Sequence, residues 1–159
     1  MIIKTNSLFQ RMIIFSPLKI TQIEIASQMM FDFYTIDNYP IDINRTRELF
    51  EEFISNESIG KSYLIYNDKE IIGYFIITFI FSFEYQGRIA FLDELYITES
   101  NRGNGIGNKT VQFIQGLKKE LKIKIIYLEV ENHNVKAQKL YLANDFEFHN
   151  RKIMKYKTK

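Results

Sequence analysis

Three glycines at alternate positions form the most distinctive chemical feature of this chain. They lie in the segment 102–108, which reads Arg-Gly-Asn-Gly-Ile-Gly-Asn. Strand-forming residues precede it, and helical spacing follows for about seventeen positions. Glycines leave the backbone bare, so successive N–H groups can point at one oxyanion, while a helix N-terminus adds unpaired donors and a positive dipole end. The segment therefore predicts an anion-binding turn.

The spacing of this turn separates it from two other phosphate-binding loops. The loop of nucleoside triphosphatases needs Gly-x-x-x-x-Gly-Lys-Ser/Thr. Here Asn108-Lys109-Thr110 follows Gly107 without the leading glycine at the required distance. The dinucleotide-binding turn needs Gly-x-Gly-x-x-Gly, whereas the third glycine of this chain follows the second by two positions.

The pattern that fits is Arg-x-x-Gly-x-Gly, and it resembles the pyrophosphate-binding motif of the GNAT superfamily of acyl-CoA-dependent N-acyltransferases. A second segment, Asn134 to Tyr141, resembles the Asn-x-x-Ala-x-x-Leu-Tyr segment of the same superfamily. It follows the glycine turn after one further predicted strand. Two motifs in this order are more specific than either alone, and the resemblance covers Ile13 to Lys157.

The resemblance implies acetyl-CoA as the cofactor and assigns residues to it. Backbone groups of the strand before the turn would pair with the pantetheine arm, and amides of the turn would hold the pyrophosphate. Asn134, on the helix that follows the next strand, would contact the arm. The cofactor-binding residues implied in this way are Leu95, Tyr96, Ile97, Arg102, Gly103, Asn104, Gly105, Ile106, Gly107, Asn108, Asn134 and Ala137. No metal site is expected.

Tyr141 is the predicted general acid. Direct attack of an amine on a thioester expels a thiolate, which must be protonated. A phenol with a pKa near 10 is matched to a thiolate whose pKa is about 8.5 or slightly higher. The alternative is a tyrosine that only packs on the inner face of its helix.

Asp93 and Glu94 are the candidate general bases, because an ammonium acceptor must lose a proton before it can attack. Adjacent strand residues face opposite ways, so at most one should point into the cleft. Relatives that act on polyamines and aminoglycosides carry an acid ten positions before the first glycine of the turn, which is Asp93. Asp93 is favoured, through a water chain, and Glu94 is the alternative because a β-bulge would reverse the parity.

The elements around these motifs predict an α+β, mixed α/β fold of the GNAT type. We expect a central, mixed, mostly antiparallel sheet of six to seven strands, with a splayed parallel pair, flanked by about four helices. The last strands would form a closing hairpin from Phe146 to His149 and Ile153 to Tyr156. Residues 12–159 would form a single acyl-CoA N-acyltransferase domain, and residues 1–11 an N-terminal extension. Gly73, inside a predicted strand, suggests a bulge or a close backbone neighbour.

Composition excludes several classes of function. The 159 residues are 46% hydrophobic and 25% charged, as in a globular protein, and the net charge of +2 is too small to indicate nucleic acid. Cysteine is absent and only two histidines occur, which excludes thiol catalysis and a histidine-based zinc cluster. The longest apolar run is shorter than the roughly twenty residues that cross a bilayer. Without a signal peptide pattern, the expected location is the cytoplasm.

The sequence thus predicts an acetyl-CoA-dependent N-acetyltransferase that acts on a small amine, with no nucleic acid or membrane partner. Loop residues expected near the acceptor, Tyr34, Asp37, Asp42 and Glu84, indicate a cationic acceptor. A protein N-terminus or lysine as acceptor, and a non-catalytic acyl-CoA sensor, remain alternatives. The resemblance also admits a homodimer. The amino-acid usage, rich in Ile, Asn and Lys and poor in Ala, suggests an AT-rich genome and a bacterial source. Asn144-Asp145 stands where the family usually has glycine, and one of the two should adopt a left-handed cap.

Overall fold

The computed structural model describes residues 12–158, so the predicted N-terminal extension lies outside the described residues. The chain divides into two compact units, a larger one that ends at Glu129 and a smaller one that begins at Val130. Within the described residues, none of the helices has the length and apolar character that a membrane span requires.

The larger unit is a five-stranded sheet with helices between its strands. Its strands are β1 (Ile13–Pro17), β2 (Gly60–Asn67), β3 (Glu70–Ser82), β4 (Gly87–Ile97) and β5 (Ile126–Leu128), in that spatial order. Neighbours are antiparallel except for β4 and β5, which are parallel. Helices α1 (Ile23–Ile36) and α2 (Ile43–Ser55) lie between β1 and β2 in the chain, and α3 (Ile106–Gly116) lies between β4 and β5. The mixed α+β class, the parallel pair and the helix order are as predicted.

The smaller unit contains α4 (Val135–Leu142), and its described residues, 130–158, include no strand. The expected count of six to seven strands is therefore too high, because the closing hairpin does not form. The segment 146–156 does alternate apolar and polar residues as a strand would. An isolated hairpin is only marginally stable in water unless its hydrophobic face packs against further strands or a helix. Most apolar side chains of this segment remain exposed, namely Phe148, Ile153, Met154 and Tyr156, while Phe146 is half-buried.

The sheet of the larger unit buries both of its faces, each against different helices. On one face Leu64, Tyr74, Ile76 and Tyr96 pack with buried residues of α1 and α2 in one core cluster. Strand residues of the opposite parity form an aromatic cluster with α3. Its ring centres are 4.3 Å apart for Phe15 and Phe113, and 4.9 Å apart for Tyr63 and Phe75. Strands buried on both faces explain why β3 reads as a nearly continuous run of β-branched and aromatic residues.

Gly73 has the close backbone neighbour that its position in a strand suggested. A β-carbon at Gly73 would lie 2.2 Å from the carbonyl oxygen of Tyr96, which belongs to the backbone of β4. The register of β2 with β3 also shifts between Ile65 and Tyr66, opposite this glycine. Glycine at this position therefore lets β3 and β4 approach each other next to the segment predicted to bind the pantetheine arm.

Gly73→Ala is expected to lower the free energy of unfolding by about 1–3 kcal/mol, because the neighbouring backbone atom cannot move aside as a flexible side chain would. Gly116→Ala is the matched control. A β-carbon there meets nothing within 4 Å, and the residue ends α3, so alanine should leave stability unchanged or raise it slightly. Urea unfolding of both variants measures the difference, and equal midpoints would contradict the close contact.

Candidate active site

The glycine turn joins β4 to α3 and has the backbone conformation that requires glycine. Gly103 and Gly105 have φ angles of 80° and 74°, in the left-handed region that side chains rarely adopt. Gly105 is the N-cap residue of α3, which begins at Ile106. The first N–H groups of the helix have no intrahelical acceptor and no N-cap side chain above them. The turn therefore presents bare amides at the positive end of a helix, as an anion site requires.

Side-chain contacts hold this turn against the sheet. The Nε of Arg102 donates a hydrogen bond to the carbonyl oxygen of Ile97 over 2.7 Å, and its guanidinium lies 5.6 Å from the ring centre of Tyr96. The amide of Asn101 donates to Oγ1 of Thr98 over 3.1 Å. The amide of Asn67 in β2 donates to Oδ1 of Asn101 over 3.4 Å. The turn is thus fixed to β2 and β4 before any ligand binds.

The parallel strands β4 and β5 separate next to the turn. Their described register comprises three residue pairs and ends with Leu92 and Leu128, while β4 continues to Ile97. Thr98 N–H donates to the Ile72 carbonyl, so the antiparallel alternation directs the backbone groups of Tyr96 toward β3. The backbone groups of Leu95 and Ile97 point away from β3, to the edge where β5 has left the sheet. Of the three residues predicted to pair with the pantetheine arm, these two face that edge.

A β-bulge in β4 places both candidate bases at one cavity. Ile77 pairs with Leu92 and Ile76 pairs with Glu94, which leaves Asp93 as the extra residue. A bulge interrupts the alternation of side chains. Asp93 and Glu94 consequently line the same cavity, although strict alternation predicted that at most one would.

The cavity has a volume of about 290 Å³ and lies between the sheet and helices α1 and α2. Its apolar walls are formed by Met30, Leu49, Phe50, Phe53, Ile59 and Ile76. Its polar lining is formed by Tyr34, Thr46, Glu52, Thr78, Asp93 and Glu94. Three carboxylates and no cationic side chain thus lie among the described lining residues, which favours a cationic ligand.

Two tyrosines hold the carboxylate of Glu94. The side chain is 9% exposed, and it accepts hydrogen bonds from Tyr34 over 2.6 Å and from Tyr74 over 2.5 Å, one on each oxygen. Burial raises the pKa of Glu94, and the two hydrogen bonds oppose that shift by stabilising the anion. Burial and the adjacent carboxylate raise the pKa of both phenols, so both remain donors at neutral pH.

Asp93 is in a different environment, although it is the next residue of the same strand. It accepts no hydrogen bond from residues 12–158, and it is more exposed than Glu94. Partial desolvation, followed by the charge of Glu129 just after β5, raises the pKa of Asp93. A carboxylate with a raised pKa and unoccupied oxygens is suited to accept a proton.

The smaller unit carries the second motif. Asn134 is the N-cap of α4, where its side-chain oxygen accepts the N–H of Ala137 over 3.1 Å. Tyr141, on the last turn of α4, has its ring centre 5.6 Å from that of Phe146. Burial raises the pKa of Tyr141 to about 12, so the phenol keeps its proton at neutral pH. Asp145 has a φ of 63°, which is the left-handed cap expected at Asn144 or Asp145.

The loop residues named from the sequence have different positions. Tyr34 lines the cavity, whereas Asp42 is the N-cap of α2 and accepts the N–H groups of Asn44 and Arg45. Asp37 is the C-cap residue of α1, and Glu84 lies in the turn after β3. Sequence reasoning missed two residues of the cavity region, Glu52 and Tyr74. Glu52 had a usable signal, since it neighbours the apolar stripe of α2 and is one residue from Phe53.

Comparison with known families identifies a match over most of the chain. The model of the acetyltransferase (GNAT) family matches residues 25–146. Curated protein sequences include no significant match.

Solved structures share the fold at low sequence identity. A possible acetyltransferase from Clostridium difficile 630 is 15% identical with a TM-score of 0.83, and the match covers 92% of this chain and 97% of that one. A predicted acetyltransferase from Clostridium acetobutylicum, solved with acetyl-CoA, is 16% identical with a TM-score of 0.76, covering 91% and 96%. An aminoglycoside N-acetyltransferase in complex with CoA is 16% identical with a TM-score of 0.77, covering 92% and 95%.

Tyr74→Phe is expected to destabilise the protein by about 1–3 kcal/mol, because it leaves one buried oxygen of Glu94 without a donor. The loss should be larger at neutral pH than at a pH where Glu94 is protonated, since the missing hydrogen bond stabilises the anion. Tyr63→Phe is the control, because that buried ring makes no hydrogen bond through its hydroxyl to residues 12–158. Denaturant unfolding at two pH values measures the effect. A loss independent of pH would show that Glu94 is not ionised in the folded state.

Proposed function

The chain belongs to the acetyltransferase (GNAT) family and uses acetyl-CoA, and from this premise we propose that it transfers the acetyl group to the amine of a small, cationic acceptor. The observation that carries the proposal is the cavity beside β4. Carboxylates line it, cationic side chains are absent from its described lining, and its volume of about 290 Å³ is near the lower end of the range for small-molecule sites, about 300–1,000 Å³.

Asp93 is proposed as the general base. Its oxygens accept no hydrogen bond from the described residues, and its raised pKa makes it a better proton acceptor than an ordinary aspartate. Glu94 is less suited, because both of its oxygens already accept hydrogen bonds from tyrosines. Glu94 instead provides a fixed negative charge that favours a cationic acceptor in the cavity.

The glycine turn and the open edge of β4 are proposed to hold coenzyme A. Amides from Arg102 to Asn108 would bind the pyrophosphate. The backbone of Leu95 and the N–H of Ile97 would pair with the pantetheine arm, since the Ile97 carbonyl already accepts a hydrogen bond from Arg102. Positive φ at Gly103 and Gly105 fits such a cradle, because side chains there would strain the backbone. Asn134 and Ala137 are assigned to the cofactor from the family motif alone.

The proposed chemistry is direct transfer within a ternary complex. Asp93 takes a proton from the acceptor ammonium, through a water chain, and the freed nitrogen lone pair attacks the carbonyl carbon of the thioester. A C–N bond forms, the C–S bond breaks, and the nitrogen loses a second proton, which balances the proton that later restores the Tyr141 phenol; the proton held by Asp93 passes to solvent. The leaving thiolate receives a proton from Tyr141, which the second motif assigns as the acid, and whose raised pKa keeps it protonated beforehand.

Release of free coenzyme A tests the function directly. The purified protein is supplied with acetyl-CoA and a panel of polyamines, aminoglycosides, amino acids and peptides, and the acetylated product is identified by mass spectrometry. Amine-dependent release above the rate without acceptor supports the proposal. Turnover restricted to peptides would replace the small acceptor by a protein substrate, and slow hydrolysis with every amine would indicate an acyl-CoA sensor.

Asp93→Asn is expected to lower kcat/KM by about 100-fold and to remove the rise of kcat/KM with pH, because the base acts only when ionised. The folded state holds the Asp93 proton to a higher pH than the unfolded chain does, so wild-type stability falls as pH rises through the folded pKa. Asp93→Asn lacks that loss and should be more stable than wild type at neutral pH but not in acid. Glu94→Gln is the comparison for the kinetic measurement, and its kcat/KM should still rise with pH. Retention of that rise in Asp93→Asn would exclude Asp93 as the base.

Tyr141→Phe is expected to lower kcat more than it weakens acetyl-CoA binding, since the substitution removes a proton donor and leaves the ring in place. Tyr156→Phe in the same unit is the matched control, because Tyr156 is almost fully exposed. Steady-state kinetics and calorimetric titration with coenzyme A separate the two quantities. Unchanged kcat in Tyr141→Phe would remove it as the acid.

A further inference from the structure

The walls of the cavity indicate what kind of amine it accepts. We infer that the acceptor is an alkyl diamine or longer polyamine, with its reacting amine at Asp93, its methylene chain along the apolar walls and a second ammonium at Glu52. This inference rests on the proposed function, and it names the substrate class and a specificity-determining residue of the same site.

The apolar walls favour a methylene chain. Phe50 and Phe53 of α2 and Ile76 of β3 line the cavity together with Leu49 and Ile59. Leu49 and Ile59 are 48% and 38% exposed, so apolar surface that a ligand would remove from water lies at the cavity. An alkyl segment between two charged groups buries its methylenes on such a surface and leaves its ends to the carboxylates.

Glu52 is the one carboxylate of the described cavity lining that α2 contributes, and it is available to a ligand. Its side chain makes no hydrogen bond or ion pair with residues 12–158. Two other acids of the helix pair are engaged, since Glu48 binds Arg45 at 2.7 Å and Glu24 binds Arg47 at 2.6 Å. Asp93 and Glu94 are contributed by the sheet, so negative charge reaches the cavity from both the sheet and α2.

A hydroxyl-rich amino sugar fits this lining less well, because each hydroxyl needs a hydrogen-bond partner when it is buried. The hydroxyl of Tyr34 is already donated to Glu94, and Oγ1 of Thr46 donates to the carbonyl of Asp42 over 2.9 Å. Thr78 is the remaining hydroxyl of the described lining. The cavity therefore offers carboxylates for ammonium groups and few partners for a sugar.

The test compares acceptors of equal chain length that differ in the second charge. Rates with putrescine, cadaverine and spermidine are measured against n-butylamine, n-pentylamine and kanamycin at saturating acetyl-CoA. We expect kcat/KM for putrescine to exceed that for n-butylamine by about tenfold, and Glu52→Gln to lower this ratio about fivefold, chiefly through the KM of the diamine. Glu51→Gln is the matched control, because Glu51 is the adjacent exposed acid of α2 and does not line the cavity. That variant should leave the ratio unchanged.

Two results would overturn the inference while leaving the proposed function intact. One is an equal kcat/KM for monoamines and diamines, or a higher value for kanamycin. The other is a putrescine-to-butylamine ratio that Glu52→Gln and Glu51→Gln change equally, which would indicate long-range charge and no contact at Glu52. Absence of coenzyme A release with every amine would overturn the proposed function itself, and the inference with it.

Discussion

The β-bulge at Asp93 is the constraint on which the site depends. Before the bulge, Arg88 and Ala90 direct their backbone groups to the segment leading into β5, as the bonds from Lys124 N–H to Arg88 and from Ala90 N–H to Ile125 show. After the bulge, the odd-numbered residues Leu95 and Ile97 direct their backbone groups to this side of β4. One extra residue thus shifts the phase of the strand where β4 and β5 separate, and it also brings two adjacent carboxylates to one cavity.

The two carboxylates differ because their surroundings differ. Glu94 is buried and accepts a hydrogen bond on each oxygen, which stabilises its charge and fixes its position. Asp93 is only partly desolvated and has no such donors among residues 12–158, and the charge of Glu129 raises its pKa further. A carboxylate whose pKa is raised in the folded state accepts a proton more readily than an ordinary aspartate, and its ionisation at neutral pH lowers the stability of the fold.

The helix pair above the sheet completes the cavity, and its geometry is held by contacts at its ends. Arg47 of α2 binds Glu24 of α1 through two hydrogen bonds of 2.6 and 2.7 Å, and Asp42 caps the start of α2. Because Tyr34 of α1 donates a hydrogen bond to Glu94, the packing that forms the cavity wall also stabilises the anionic form of that carboxylate. The cavity wall and the two carboxylates of β4 therefore share their supporting contacts.

The sequence by itself determined the features that depend on residues close together in the chain. The alternate glycines predicted a turn without side chains, the spacing after Gly105 predicted a helix, and the two motifs in order predicted the family. It overestimated the strands, because alternation of apolar residues at the end of the chain does not supply a surface to pack against. The tertiary structure decided the bulge, the cavity and the partners of Glu94. Tyr34 lies sixty positions from Glu94 in the chain, and their hydrogen bond exists only because helix packing and strand register bring them together, which no local pattern encodes.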